Sequence, residues 1–193
     1  MEYYFDIALW VLAGIVLLPY VAMPPLIFLT LRFRCPAKVL EVDPAKEPLP
    51  DQARQYFHDT YHELTELNFE MVSALALPTL LDNVRSVLVL YIDRSSGDMA
   101  MAAFMIATAG DDQLKSMYVE FMRRYSDGTV VQTNNSSELS AFRPQPGEHT
   151  TQFTEVQDIA MLYRLHEFLV HKHRGAGAIE NPGEFKDLHD ALV

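Results

Sequence analysis

Hydrophobic and polar positions change their pattern twice along the chain. From Ile7 to Leu31 (IALWVLAGIVLLPYVAMPPLIFLTL) nearly every position is apolar and none is charged. Such a run predicts a single membrane-spanning helix. Its 25 residues, at about 1.5 Å each, reach roughly 38 Å, more than the ~30 Å of bilayer hydrocarbon. Pro36 to Pro50 (PAKVLEVDPAKEPLP) then mixes prolines with both charges and reads as a stiff, partly extended tether.

Beyond the tether the pattern becomes that of a folded domain. Asp51 to Leu67 places Ala53, Phe57, Tyr61, Leu64 and Leu67 at helical spacing, with acids on the other side and Asp51 in position to cap. Phe69 to Leu77 suits a first strand, closed by Pro78. Arg85 to Ile92 and Met99 to Thr108 are apolar runs flanking Asp93-Arg94-Ser95-Ser96-Gly97-Asp98, which predicts a hairpin. Leu114 to Tyr125 and Thr129 to Thr133 predict another around Ser126-Asp127-Gly128. Asn134 to His149 is polar and proline-containing, hence a loop. Thr154-Glu155-Val156-Gln157 fits a capping box. The helix it opens buries Ile159, Leu162, Leu165 and Leu169, with Met161 and Phe168, and ends in His171, Lys172, His173 and Arg174 before Gly175. Those terminal cations suit the negative end of the helix dipole.

The expected fold is therefore α+β: a single N-terminal transmembrane helix, then a small domain with an antiparallel sheet of about five strands bracketed by helices. Residues 1–35 form the tail and span, 36–50 the tether, 51–175 the domain and 176–193 a C-terminal tail in which Glu184 to Val193 suits a short helix.

Two of the expected strands lack the polar alternation of a sheet with one wet face. Val87, Val89 and Tyr91 oppose Leu88, Leu90 and Ile92; Met99, Met101, Ala103 and Met105 oppose Ala100, Ala102, Phe104 and Ile106. Both faces want cover. Curling of the sheet with local helix cover is one solution, a docked partner the other, and methionine suits either.

Charge places the span and excludes a class of partner. Glu2 and Asp6 precede it while Arg32, Arg34 and Lys38 follow it, so the positive-inside tendency puts the N-terminus outside the cell membrane and the domain in the cytoplasm. The acidic, aromatic start MEYYFD is unlike a signal peptide. Pro19, Pro24 and Pro25 predict a kink, whose freed carbonyls suit either a packed neighbour or an ordinary bent anchor. Met1 to Lys46 carries four basic and four acidic residues, so the whole net charge of −11 belongs to the remainder, which repels phosphate backbones. With Cys35 as the single cysteine, no internal disulfide forms.

Candidate chemistry is sparse. His58 and His62 have the helical spacing of a zinc pair, but Asp59 stands where the protease motif needs Glu and no third ligand is evident. His171 and His173 point to different sides of a helix. Phosphate loops, nucleophile elbows and haem motifs are absent from the sequence. The sequence thus points to a non-catalytic single-pass accessory or assembly subunit of a larger membrane complex, with no cofactor or metal. Its expected partners are other membrane protein subunits and the lipid bilayer, and not nucleic acid. Contact residues would be Trp10, Gly14, Pro19, Tyr20, Pro24, Pro25 and Phe28 in the span, Arg32 and Arg34 at its boundary, and Leu88, Leu90, Met101 and Met105 in the domain. The alternative is a membrane-tethered sensory or small-ligand-binding domain, with a closed cavity beside Leu90 and Phe104.

Overall fold

The computed structural model describes residues 18, 21, 40–43, 46–81, 84–109, 112–137 and 145–179. A two-residue edge strand, β1 (Leu40–Glu41), precedes helix α1 (Asp51–Glu66). Four long strands follow: β2 (Glu70–Leu81), β3 (Val84–Asp93), β4 (Asp98–Ala109) and β5 (Asp112–Arg124). β6 (Val130–Asn134), β7 (Glu148–Gln152) and helix α2 (Ile159–Lys172) complete the order. The seven strands lie side by side in sequence order. Every pair is antiparallel except β6 with β7, which runs parallel.

Local chemistry explains the joints. Asn68 takes a left-handed backbone (φ 67°) that stops α1, and the Phe69 amide returns to the Leu64 carbonyl. The β3–β4 turn needs Gly97 at φ 74°. There the Gly97 amide donates to the Asp93 carbonyl, and the Asp93 carboxylate accepts from the amide and hydroxyl of Ser95.

Both helices pack on one face of the sheet. Ala53, Phe57 and Leu64 of α1 and Ile159, Leu162 and Tyr163 of α2 share a core with Val87, Val89 and Tyr91, with Ala100, Ala102 and Phe104, and with Val119 and Phe121. Alternation along the strands sends Leu88, Leu90, Met101 and Met105 to the other face. A smaller cluster of Tyr125, Val131, Leu169 and Val170 seals the C-terminal end of α2.

Two points correct the expected fold. First, among the described residues no helix is long and apolar enough to cross a membrane. The Ile7–Leu31 run lies outside them except for Leu18 and Val21, and what stands described is a mostly β domain. Second, the sheet has seven strands and not about five. β1 lies within the expected tether, and β7 (EHTTQ) overlaps the expected loop; neither carries the apolar alternation that marks a strand in sequence. The two helices, one before and one after β2–β7 in the chain, share one face of the sheet, because the apolar sides of both meet the same strand positions.

Smaller differences have local causes. β2 continues through Pro78, which falls in a register shift between Leu77 and Leu81, where a missing N–H interrupts the ladder least. Asp51 is the first residue of α1, after Pro50 at the cap. Asp158 caps α2, its carboxylate accepting from the Met161 amide at 2.7 Å. The Thr154–Gln157 pair does meet, Gln157 Nε2 donating to the Thr154 carbonyl at 3.1 Å, but in a turn before the helix.

Candidate functional site

The hairpin register assembles the four domain residues picked from sequence. Leu90 stands directly across from Met101, Leu88 from Ala103, and Ser86 from Met105. All four therefore share the face opposite the helices. β2 extends this face through Leu75, paired with Leu88, and β5 through Tyr118 and Glu120, paired with Ala103 and Met101. Leu88, Leu90, Met101 and Met105 are half-buried, and no described helix covers them. The surface is apolar, methionine-rich and built on the rigid centre of the sheet, which suits an adaptable contact on a firm base.

A half-buried carboxylate, Glu120, stands on this face. Glu120 Oε2 accepts from Asn134 Nδ2 at 3.0 Å. Burial raises its pKa, and the Asn134 hydrogen bond offsets only part of that rise. A carboxyl group held toward neutrality sits more easily among apolar neighbours than an ordinary glutamate.

The opposite face hides a polar cluster that the sequence pattern did not single out. Asp98, at the start of β4, is fully buried. It accepts from Arg123 through Nε (2.5 Å) and Nη2 (2.6 Å), and from the Tyr163 hydroxyl at 3.0 Å. His166 Nε2 lies 3.5 Å from the same carboxylate, and its Nδ1 lies 3.0 Å from the Thr133 hydroxyl. The Thr133 contact lies at hydrogen-bond distance, whereas Nε2 is buried without a hydrogen-bond partner and approaches Asp98 only at ion-pair distance. Burial alone would raise the Asp98 pKa; His166 and Arg123 outweigh it and hold the carboxyl below its ordinary range.

Thr133, His166 and Asp98 stand in the order of a proton relay, and each is 0 % exposed. The cluster ties α2 to β4, β5 and β6. A sequence signal for it existed: Asp98 keeps the parity of Ala100 and Phe104, Arg123 that of Val119 and Phe121, and His166 lies on the Ile159–Leu162–Leu169 stripe. Opposite charges at core-face positions of neighbouring strands announce a buried pair.

The remaining candidates are placed as follows. Trp10, Gly14, Pro19, Tyr20, Pro24, Pro25, Phe28, Arg32 and Arg34 lie outside the described residues, as does Cys35. His58 and His62 are exposed and meet edge to face, ring centres 4.5 Å apart. His149 of β7 stacks on His173 at 4.3 Å. Among the described residues no group of three or more His, Cys, Asp or Glu could hold a metal ion. Leu90 and Phe104 lie on opposite faces, and the small cavity beside Phe104, about 40 Å³, is lined instead by Leu49, Arg85, Val87 and Ile106 with Pro48 and Pro50. Compared with family models, with curated proteins and with solved structures, the chain finds no match.

Proposed function

We propose that the chain is a non-catalytic accessory or assembly subunit that docks onto another protein subunit through the outer face of its sheet. One observation carries this: Leu88, Leu90, Met101 and Met105 converge on a face that the two helices leave uncovered. A central sheet face is stiff, so it presents side chains at fixed spacing and loses little order on binding. The acidic balance of the chain, −11, favours a protein partner over nucleic acid. Asp98, Arg123 and Tyr163 are committed to one another and act in holding the fold.

Gentle extraction at native abundance followed by sizing tests this. The expected result is a particle well above the 22.0 kDa of the chain, with a second chain in fixed ratio. A lone species of that mass under every condition, or turnover of a substrate by the purified chain, would overturn the proposal.

A further inference from the structure

Two histidines join the last strand of the sheet to the end of the last helix. β7 closes the strand order and pairs with β6. Its residue His149 stands directly across from Val131, and Val131 across from Arg123. Val131 is buried under the C-terminal half of α2, so His149 belongs to the face that carries the helices. His173 follows the last residue of α2, and its amide donates to the Leu169 carbonyl at 2.8 Å. The two rings stack, with centres 4.3 Å apart and planes 21° from parallel. No residue of β7 is fully buried. Its attachment therefore rests on the ladder to β6 and on what its inward side chains touch.

Such a stack suits neutral rings; two imidazolium ions at the same separation repel each other. The surrounding charges add to that repulsion. On α2 and just beyond it stand His171, Lys172 and Arg174. The nearest acids are engaged elsewhere. The Glu148 carboxylate accepts from the Gln145 amide at 2.7 Å. Asp127, in the turn between β5 and β6, accepts from the amides of Thr129, Ala176 and Gly177. In the row of His149 itself, Arg123 is bound to Asp98. The negative end of the helix dipole favours a cation at His173. Loss of hydration, then His149 and Lys172, nevertheless hold its pKa below the ordinary value.

We propose that the His149–His173 stack is an acid-sensitive clasp: with both rings neutral it holds β7 to α2, and protonation opens it and loosens the edge of the sheet. The direction follows from linkage. A folded pKa below the unfolded one means that the opened chain binds protons more readily. The clasp's contribution is thus complete above pH ~6.5 and is lost as pH falls through the lower, folded value. Histidine is the side chain whose charge changes in that range. The opening is local, because the core around Phe121 and Leu162 is built from other residues.

Hydrogen exchange and ring titration on the full chain test the clasp. Corrected for the intrinsic effect of pH, protection of the β7 amides should fall at least about fivefold between pH ~7.5 and pH ~5. Protection of the β3 and β4 amides should stay unchanged. His149→Phe keeps a ring on His173 that cannot be protonated, so its β7 protection should hold across the same range. In His149→Gln, at an exposed position that does not threaten the core, His173 should titrate closer to its ordinary value. Wild-type β7 protection that ignores pH would overturn the proposal. So would an equal fall in His149→Phe, or a His173 titration that His149→Gln leaves unmoved.

Discussion

Asp98 and Arg123, 25 residues apart, meet through two hydrogen bonds between the ends of neighbouring strands, the carboxylate fully buried and the Arg123 side chain 14 % exposed. Removing one partner leaves the other charge without compensation. Asp98→Ala should therefore cost about 3–5 kcal/mol, read as a lower urea midpoint with an unchanged slope. A loss below about 1 kcal/mol would mean that the pair contributes little.

The same carboxylate sets an acid limit. Its folded pKa lies below the unfolded value because His166 and Arg123 outweigh burial. Its stabilisation is thus present above pH ~4 and is lost as pH falls through the lower, folded value. Stability measured between pH 5 and pH 2 should fall steeply in the wild type and less steeply in Asp98→Asn. Parallel curves would contradict the assignment.

Thr133 and His166 make a buried hydrogen bond of 3.0 Å. Thr133→Val keeps the shape and removes the hydroxyl, so Nδ1 loses its partner. The expected cost is about 1–3 kcal/mol by chemical denaturation, and a neutral result would show that this hydrogen bond contributes little.

Glu120 behaves in the opposite sense to Asp98. Burial raises its folded pKa, so its ionisation costs stability as pH rises through that raised value. Glu120→Gln, which keeps an acceptor for Asn134, should raise the urea midpoint at pH 7, with the gain shrinking toward pH 4. A gain that is equal at both values would need another cause.

Asp127 latches the segment that follows α2 onto the turn between β5 and β6. Its carboxylate accepts from the amides of Thr129, Ala176 and Gly177. The Thr129 contacts first, then those of Ala176 and Gly177, hold its pKa down to about 2. A Cβ on Gly177 would stand 2.6 Å from Ser126 Oγ and 2.7 Å from the Asp127 amide nitrogen. Gly177→Ala and Asp127→Asn should both speed proteolysis between Arg174 and Ile179 while leaving the melting temperature nearly unchanged. An unaltered cleavage rate would show that the latch does not hold the segment.

How far the sequence reveals this molecule depends on the range of the interactions. The β3–β4 hairpin was legible because two apolar runs flank a turn-forming hexapeptide, and period-two alternation alone put Leu90 and Met101 on one face. β7 was not legible: EHTTQ has no apolar member, and its pairing with β6 is parallel. The cap of α2 was displaced because Thr154 and Asp158 both offer cap signals four positions apart, and the register of the buried stripe, beginning at Ile159, decides between them. Asp98 and Tyr163 lie 65 residues apart, so their contact follows only once α2 is laid on the sheet.

The central claim is that the outer sheet face is a docking surface and not a structural one. Sizing the native particle of the double variant Leu90→Glu, Met101→Glu beside the wild type tests it most directly. The account predicts that the wild type runs in an assembly well above 22.0 kDa. The variant should run as the lone chain, with an unchanged circular dichroism spectrum. A variant that stays in the assembly, or one that unfolds, would contradict it.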